Sequence, residues 1–404
     1  MIAFEYRCTD CGQSYPREKV RYLCPRCGRD YRPGIPLPGV LEAFLDYGAI
    51  ARSFDRARPD LDLFCPVERE FHPPLPVGGT PLVRVARLAA ELGLDGLWVK
   101  NEGQNPSGSL KDRASFLVVA EARRLGERRI VTASTGNAAS ALAAVCASTD
   151  REALIFVPAK APKAKLVQMV LYGARVVPVL GTYDDAFRLS LEYTERRGGL
   201  NRNTAYHPLT IEGKKTAGLE IWVQLGFRVP DAVVVSVGDG VILAGVHKAF
   251  QDLRRAGLAE RLPRLIAVQA ESSDAIHRYL ETGHYADAER PTTRADSISV
   301  SCPSNAHWAR RAVLESGGTS LVVSDAEILA AQHRLARTTG IFAEPAGAAA
   351  LAGLEKLQGS PGRLARAAEV VVLATGHGLK DVEAPLSSLA LPTPVEPSLE
   401  AVEA

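Results

Sequence analysis

The sequence predicts an α/β fold with mostly parallel sheets, preceded by a small cysteine-rich unit. Short runs of apolar and β-branched residues, such as residues 153–158, 173–179 and 231–237, alternate with helical stretches of ten or more residues. That alternation is typical of parallel β-α-β units whose sheets are covered by helices on both faces. The chain has 404 residues, which is enough for two or three domains.

Composition and charge favour a protein that acts on small molecules. Charged residues make up 23% of the chain and the formal net charge is +2, so a basic field that attracts nucleic acid or a membrane surface is not expected. The sequence has no run of about 18 apolar residues, and its first residues lack the basic-then-apolar plan of a signal peptide. We therefore expect a cytoplasmic protein with a small substrate and with no nucleic-acid or membrane partner.

The first element is a pair of C-x-x-C motifs, Cys8-Thr-Asp-Cys11 and Cys24-Pro-Arg-Cys27, each followed by glycine. Four thiolates in such turns converge on one tetrahedral zinc and leave no open position for a catalytic water. We predict a structural Zn²⁺ site in a zinc ribbon over residues 1–31, with these ligands: Cys8, Cys11, Cys24 and Cys27. A metal-free hairpin and a redox C-x-x-C are the alternatives, the second being less favoured without a strand-helix context. Residues 32–80 are proline-rich and are interpreted as a connector with a helix near residues 41–54.

The motif with the most specific chemistry is Asn105-Pro-Ser-Gly-Ser-Leu-Lys111-Asp-Arg113. Proline and glycine interrupt any helix here, and we expect Lys111 at the start of a helix over residues 114–124. An ammonium near the positive end of a helix, with Arg113 two residues on, is destabilised, so the pKa of Lys111 should be lowered. A lysine that forms a Schiff base needs this property. The ordinary alternative is a solvated lysine in a first helical turn.

This motif resembles the cofactor-lysine motif of the threonine synthases, which are fold-type II enzymes that depend on pyridoxal 5′-phosphate (PLP). The resemblance implies that Lys111 carries PLP as a Schiff base and is the catalytic residue. Residues 134–137, after a buried strand, resemble the Ser-Thr-Gly-Asn loop of the same family. There Asn137 would contact the ring oxygen of PLP. The substrate carboxylate would be held by the rest of the loop: Ser134, Thr135 and Gly136.

A glycine turn between the strand at 231–237 and a helix over residues 243–256 is predicted to bind the phosphate of PLP. Glycines allow close backbone approach, and the amides at a helix N-terminus favour a dianion. The residues assigned to this loop are Gly238, Asp239, Gly240, Val241 and Ile242. A carboxylate beside a phosphate is repulsive, so we expect the Asp239 side chain to point away.

Two motifs near the C-terminus complete the resemblance. Residues 344–346, Glu-Pro-Ala, resemble a step that lies close to the cofactor ring in the family. Thr375-Gly-His-Gly-Leu-Lys-Asp381 closely resembles the end of threonine synthases and implies that Thr375 faces the pyridine nitrogen. A neutral hydroxyl there would make the cofactor a milder electron sink than an aspartate would, which suits elimination or replacement. Residues 391–404 are expected to form a flexible tail.

For the whole chain, the resemblance implies fold type II, with two three-layer α/β/α domains of mostly parallel sheets in addition to the ribbon. The catalytic region would span residues 81–390 as two interleaved α/β subdomains, the smaller over about residues 115–225. A homodimer is expected by analogy with the family.

The implied function is that of a PLP-dependent carbon–oxygen lyase, a threonine synthase that converts O-phospho-L-homoserine and water to L-threonine and phosphate. Ala138, Thr210 and the loop at Gly238 depart from the family pattern and remove donors that could bind a substrate phosphate. The alternative is a serine or threonine ammonia-lyase, or a β-replacement enzyme similar to cysteate or cysteine synthase, which needs no second phosphate site. Four lysines could restore the missing charge: Lys163, Lys165, Lys214 and Lys215.

Two further hypotheses are weaker. His207 precedes a proline and is interpreted as a turn residue rather than as a catalytic base. A zinc-dependent nucleic-acid adaptor on an inactive scaffold is disfavoured by the low net charge and by the presence of Lys111, Asn137 and Thr375.

Overall fold

The computed structural model describes residues 2–32, 34–134, 136–159 and 163–386, together with residues 394, 396–398 and 402. Within helices, the side chains of residues 30, 163–165, 183 and 184 also lie outside the description. The predictions made for Thr135, for the side chains of Lys163 and Lys165, and for most of the tail at 391–404 therefore fall outside the described residues.

Strands and helices alternate along the described residues, as the sequence predicts. The strands are β1 (Phe4–Cys8), β2 (Ser14–Pro16), β3 (Leu41–Leu45), β4 (Leu82–Arg84), β5 (Gly96–Asn101), β6 (Arg129–Ala133), β7 (Glu152–Pro158), β8 (Arg175–Val179), β9 (Leu200–Asn201), β10 (Ala232–Ser236), β11 (Arg264–Ala270), β12 (Thr319–Val323) and β13 (Glu369–Ala374). The helices are α1 (Tyr47–Ser53), α2 (Ala86–Glu91), α3 (Lys111–Arg124), α4 (Asn137–Ala147), α5 (Lys163–Leu171), α6 (Tyr183–Arg197), α7 (Leu209–Gln224), α8 (Val241–Arg255), α9 (Ala275–Thr282), α10 (Ala306–Glu315), α11 (Asp325–Thr339), α12 (Pro345–Gln358) and α13 (Glu383–Leu386).

The strands form three sheets. A six-stranded sheet has the order β12-β11-β10-β13-β5-β4, and its pairs are parallel except for β4 with β5. A four-stranded parallel sheet has the order β8-β7-β6-β9. The third sheet, β2-β1-β3, is antiparallel and lies at the N-terminus. The mixed α/β class with mostly parallel sheets, expected from the sequence, is confirmed.

Both faces of the six-stranded sheet are buried, and alternate residues of one strand serve different layers. On β10, Val233 and Val235 belong to the core shared with α7, α8 and α10, whereas Val234 belongs to the core shared with α2, α11 and α12. All three valines are fully buried. Strands buried on both faces have no polar side, which explains the uninterrupted apolar runs in the sequence.

The four-stranded sheet is covered in the same way. Ile130 and Ile155 contact the layer that contains α3, α4 and α5, and Val131 and Leu154 contact α6 on the other face. Among the described helices, none is both long and apolar enough to cross a bilayer.

The N-terminal region corrects one predicted element. The sequence predicts a helix near residues 41–54, but β3 is a strand that pairs with β1, with Ala43 opposite Tyr6. The helix α1 begins only after Asp46, whose side chain accepts a hydrogen bond from Ala49 N–H at 2.9 Å. Tertiary pairing supplied the hydrogen bonds that make residues 41–45 extended, and the aspartate N-cap fixed the start of the helix.

The helix α12 has no counterpart among the predicted elements. Its sequence, rich in alanine and glycine, is buried on almost every side, from Pro345 to Leu354. A helix without a polar face lacks the periodic pattern by which amphipathic helices are recognised.

Candidate active site

A cavity of about 510 Å³ lies at the carboxyl ends of the parallel strands. Ligands in α/β proteins bind at this edge because the loops that follow parallel strands meet there. The residues predicted for cofactor and substrate binding, as far as they are described, line this cavity: Lys111, Ser134, Gly136, Asn137, Gly238, Asp239, Gly240, Val241, Ile242 and Thr375. The structure therefore brings together motifs that are up to 264 residues apart in the chain, from Lys111 to Thr375.

Backbone hydrogen bonds join the loops around the lysine. Leu110 N–H donates to Thr375 O at 2.9 Å, and His377 N–H donates to Gly108 O at 2.9 Å. Glu344 N–H donates to Gly376 O, also at 2.9 Å. The lysine motif, the Glu-Pro-Ala step and the C-terminal motif thus form one connected frame.

Lys111 is the first residue of α3, where the sequence expected it near the helix N-terminus. Burial lowers the pKa of its amine, Asp239 and Glu344 oppose that shift, and Arg202 adds to it. None of the described residues forms a hydrogen bond with Lys111 Nζ. An amine with a lowered pKa in a cavity fits a nucleophile or a Schiff-base lysine.

Arg113 does not have the predicted electrostatic role. The sequence suggested that Arg113 lowers the pKa of Lys111, but its guanidinium binds two carboxylates instead. Nε donates to Glu102 Oε2 at 2.7 Å, and Nη1 donates to Glu220 Oε1 at 2.6 Å. The cation that lowers the pKa of Lys111 is Arg202, which directly follows β9 and lines the cavity. Sequence spacing alone could not show which arginine faces the lysine.

Glu344 is a site residue that the sequence pointed to only as part of a step near the ring. Asn137, the first residue of α4, donates from Nδ2 to Glu344 Oε1 at 2.7 Å and to Oε2 at 3.0 Å. Burial raises the pKa of the Glu344 carboxyl, and the hydrogen bond from Asn137 opposes that shift. The sequence signal that could have identified Glu344 as a site residue is a carboxylate among small apolar residues, directly before a proline.

The turn before α8 has the backbone geometry of an anion cradle. Gly240 has φ 83°, and a Cβ there would lie 2.7 Å from Ala309 Cβ and 3.0 Å from Asn305 O. The hydroxyl of Ser236, at the end of β10, is buried and has no hydrogen-bond partner among the described residues. An unpaired buried hydroxyl beside the free amides of a helix N-terminus fits the phosphate of PLP. The helix begins at Val241, two residues before the predicted start, so the loop is tighter than expected.

The Asp239 side chain interacts with a neighbouring loop. Asp239 Oδ1 accepts a hydrogen bond from Ser304 N–H at 3.2 Å, and Asp239 O accepts one from Asn305 N–H at 3.0 Å. These bonds hold the segment after residue 300 against the turn.

The four N-terminal cysteines have the geometry of a metal site. Their sulfur atoms all lie within 4.8 Å of one another, and Cys11 Sγ is 3.9 Å from Cys24 Sγ. Tetrahedral zinc with Zn–S bonds of about 2.3 Å requires sulfur atoms about 3.8 Å apart. Both turns are closed alike, because Gly12 N–H donates to Cys8 O at 3.0 Å and Gly28 N–H donates to Cys24 O at 2.8 Å. The donor set and its spacing fit Zn²⁺.

The end of the ribbon and the segment after it also form part of the cavity wall, which the sequence did not indicate. Tyr31, Ile35 and Leu37 line the cavity. Leu37 N–H donates to Ser304 O at 2.9 Å, and Cys24 N–H donates to Gly39 O at 2.7 Å. The cysteine site is thus connected to the cavity through a few backbone hydrogen bonds.

The residues that depart from the family pattern are also placed. Thr210 is fully buried; its hydroxyl donates to His207 O at 2.8 Å and accepts from Ala205 N–H at 3.0 Å. His207 is a buried turn residue whose Nδ1 accepts from Leu209 N–H at 3.2 Å. Of the two described candidate lysines, Lys214 lines the cavity, whereas Lys215 binds Asp252 in the interior at 3.0 Å.

A parallel α/β fold with a desolvated lysine, a facing asparagine and a glycine anion cradle defines a PLP-binding enzyme. The chain belongs to the pyridoxal-phosphate dependent enzyme family, whose model matches residues 74–376.

Comparisons along nearly the whole chain give more specific relatives than the family model does. The chain is 37% identical to a threonine synthase of Methanosarcina acetivorans, with 99% of this chain and 98% of the relative covered. It is 35% identical to a threonine synthase of Methanocaldococcus jannaschii, with 96% of each chain covered. Among solved structures, a threonine deaminase of T.th. matches with a TM-score of 0.63 and 29% identity, over 74% of this chain and 92% of that chain. The processed form of threonine deaminase isoform 2 from Solanum lycopersicum matches in fold, with a TM-score of 0.66 at 24% identity, over 76% of this chain and 87% of that chain.

Proposed function

We propose that this protein is a threonine synthase that converts O-phospho-L-homoserine and water to L-threonine and phosphate. The observation that carries the proposal is the convergence on one cavity of the four motifs that resemble threonine synthases. Relatives with that name match nearly the full chain.

Each cavity residue has a proposed task. Lys111 holds the cofactor covalently, and its amine, once released, carries protons at Cα and Cβ of the substrate. PLP, when bound, supplies the electron sink for charge that develops at Cα. The turn at 238–242 would hold the phosphate of the cofactor, and Asn137 and Thr375, which line the same cavity, would bind its ring.

The loop at residues 134–136 holds the substrate carboxylate in this proposal. Ser134 and Gly136 border the cavity directly before α4, so an anion there meets the positive end of a helix. Gly136 has open space around the position of a Cβ, which leaves room for a ligand.

We also propose that Cys8, Cys11, Cys24 and Cys27 bind a structural Zn²⁺, and that the enzyme is a cytoplasmic homodimer. The zinc proposal rests on the sulfur geometry, which is closed to a catalytic water. The dimer rests on analogy with the family, and a molar mass from light scattering tests it.

An ammonia-lyase acting on serine or threonine is the second candidate. Ala138 lines the cavity and has no hydroxyl that could donate to a substrate phosphate. The hydroxyl of Thr210 is already hydrogen-bonded within the turn at 205–207. A threonine deaminase is among the similar structures. These observations favour a substrate without a phosphate.

One set of assays separates the two candidates. The purified protein, loaded with PLP, is given O-phospho-L-homoserine, L-threonine or L-serine, and phosphate, threonine and ammonia are measured. Phosphate release with stoichiometric threonine is the expected result. Ammonia from threonine or serine without turnover of the phosphorylated substrate supports the second candidate, and absence of the absorbance band of protein-bound PLP contradicts both.

A further inference from the structure

Asp239 is an unusual residue for a turn that binds a dianion. Its carboxylate has the same sign of charge as a phosphate, and the two repel each other. The rest of the turn at 238–242 consists of glycine and apolar residues, which leave the backbone amides accessible. The contacts of Asp239 show what its side chain does there.

Asp239 binds two adjacent amides of a neighbouring loop. Its Oδ1 accepts a hydrogen bond from Ser304 N–H at 3.2 Å, and its main-chain oxygen accepts one from Asn305 N–H at 3.0 Å. The carboxylate is therefore used to fix the backbone at Ser304. An apolar side chain in the place of Asp239 would leave that amide without this acceptor.

The segment over residues 298–305 packs directly on the turn. A Cβ on Gly238 would lie 2.9 Å from Ile298 Cα, and a Cβ on Gly240 would lie 3.0 Å from Asn305 O. Contacts this short leave room for glycine but not for a larger residue. The loop that carries Ser304 therefore forms part of the wall of the cofactor cradle.

The hydroxyl of Ser304 is buried and has no hydrogen-bond partner among the described residues, and Ser304 lines the cavity. Ser236, at the end of β10, has the same properties. Buried hydroxyls are almost always paired, so an unpaired one at a cavity indicates a partner that enters the cavity. Two such hydroxyls beside one turn indicate an acceptor with several oxygen atoms, such as a phosphate.

We propose that Ser304 is a further cofactor-binding residue whose hydroxyl donates to the phosphate of PLP, and that Asp239 is the positioning residue that holds Ser304 in place. The inference rests on the proposed placement of that phosphate at the turn 238–242, and it applies to both candidate reactions. A hydrogen bond to a charged acceptor is stronger than one between neutral groups. The donor that is gained in this way offsets the repulsion between Asp239 and the phosphate.

The loop is also held from its other side, by the segment that follows the ribbon. Leu37 N–H donates to Ser304 O at 2.9 Å, and Cys24 N–H donates to Gly39 O at 2.7 Å. Ser304 is thus fixed through its N–H by Asp239 and through its carbonyl by Leu37. The ribbon therefore contributes to cofactor binding, because it helps to place a donor to the phosphate.

The test compares two cofactor forms that differ only in the phosphate. The full-length protein is titrated with PLP and with pyridoxal, which lacks the phosphate, and binding is followed by the absorbance of the Schiff base. For Ser304→Ala we expect PLP affinity to fall by about tenfold and pyridoxal affinity to stay unchanged, because one charge-assisted hydrogen bond is lost. The phosphorus NMR resonance of bound PLP should shift as well.

Ser301→Ala is the matched control. Ser301 lines the same cavity, but its hydroxyl already donates to Ala288 O at 2.6 Å. This variant should change the affinity for neither cofactor form and should leave the phosphorus resonance where it is.

Two variants test whether Asp239 acts through Ser304. Asp239→Asn and Asp239→Ala both remove the charge, but only asparagine keeps an oxygen that can accept from Ser304 N–H. We expect Asp239→Ala to bind PLP more weakly than Asp239→Asn does. In a protein that already carries Ser304→Ala, the two variants should bind PLP equally, since a positioning residue acts only through the residue that it positions.

Each other outcome overturns a definite part of the proposal. Equal losses for PLP and pyridoxal in Ser304→Ala, or no loss for either, would show that this hydroxyl does not bind the phosphate. Equal PLP affinities of Asp239→Ala and Asp239→Asn in the presence of Ser304 would refute the positioning role. A wild-type protein that binds pyridoxal as tightly as PLP would show that the turn holds no phosphate, so that the proposed placement of the cofactor itself fails.

Discussion

Lys111 shows how burial and charge compete at a single residue. Asp239 and Glu344 would keep its ammonium protonated, yet burial and Arg202 outweigh them and lower the pKa. The result is an amine that loses its proton more readily than a solvated lysine does, and it forms no hydrogen bond with the described residues. A Schiff-base lysine needs this property.

We expect Lys111→Ala to lose covalent attachment of PLP and to lower kcat by about 10²–10⁴-fold or more, because in the proposed function one amine both holds the cofactor and carries protons. Borohydride treatment followed by mass spectrometry measures the attachment: the wild-type chain should gain the mass of the reduced cofactor and the variant should not. A variant that still retains the cofactor through another residue would contradict the assignment.

Gly240 is the position where the cofactor cradle depends most on a missing side chain. Gly240→Ala should weaken PLP binding by at least about tenfold, since its φ of 83° and a Cβ 2.7 Å from Ala309 Cβ would displace the turn. Gly257→Ala is the matched control, because Gly257 has φ 68° but nothing within 4 Å of a Cβ. The control should lose stability without losing PLP affinity; equal PLP affinities in the two variants would refute the argument.

At the level of elements, the position of α3 is fixed by a buried ionic cluster rather than by its own cap. Arg113 binds Glu102 and Glu220, and Lys100 Nζ binds Glu220 Oε2 at 2.6 Å. These residues come from β5, the following turn, α3 and α7. Lys111 is therefore the first residue of a helix whose position is fixed by ion pairs among four segments.

The N-terminal ribbon is the element whose removal is easiest to test. Cys11→Ser with Cys27→Ser should abolish zinc binding, lower the melting temperature, and weaken PLP binding, because the Cys24–Gly39 and Leu37–Ser304 hydrogen bonds connect the metal site to the cavity wall. Zinc content by mass spectrometry, thermal unfolding and PLP titration measure the three effects. Normal PLP affinity in a zinc-free, folded variant would show that the wall forms without the metal.

For the whole molecule, buried ionisable groups set the stability at acidic pH. Burial lowers the pKa of His207 from 6.5 to about 4, so the folded state keeps this imidazole neutral. A lowered histidine pKa contributes stability that is present above pH 6.5 and is lost as the pH falls toward 4. Burial raises the pKa of Glu220, but Arg113 and Lys100 outweigh burial and lower it from 4.5 to about 2. The contribution of Glu220 to the free energy of unfolding is therefore lost only as the pH falls from 4.5 toward 2.

The free energy of unfolding should therefore fall by about 2–3 kcal/mol through His207 between pH 7.5 and 4.5. His207→Asn keeps an acceptor for Leu209 N–H but does not titrate, so it should lose less stability over the same interval. Urea unfolding of both proteins at the two pH values provides the comparison. Parallel losses in the two proteins would mean that His207 is accessible to protons in the folded state.

Much of the fold could be predicted from the sequence because parallel strands that are buried on both faces consist of consecutive apolar residues. The apolar runs at 153–158, 173–179 and 231–237 agree with β7, β8 and β10 within one or two residues. The prediction was wrong for residues 41–45, where pairing with β1 overrides the local helical pattern, and it missed α12, which has no polar face.

The sequence by itself determined the alternation of strands and helices, the two pairs of clustered cysteines, and the motifs around Lys111, since each depends on residues close together in the chain. Only the tertiary structure decided which charges face one another. Lys214 lines the cavity, whereas Lys215 binds Asp252 in the interior. Arg202, and not Arg113, is the cation that lowers the pKa of Lys111. Asn137 forms a hydrogen bond with Glu344. Electrostatic roles depend on distance and burial, and both arise only when segments far apart in the chain pack together.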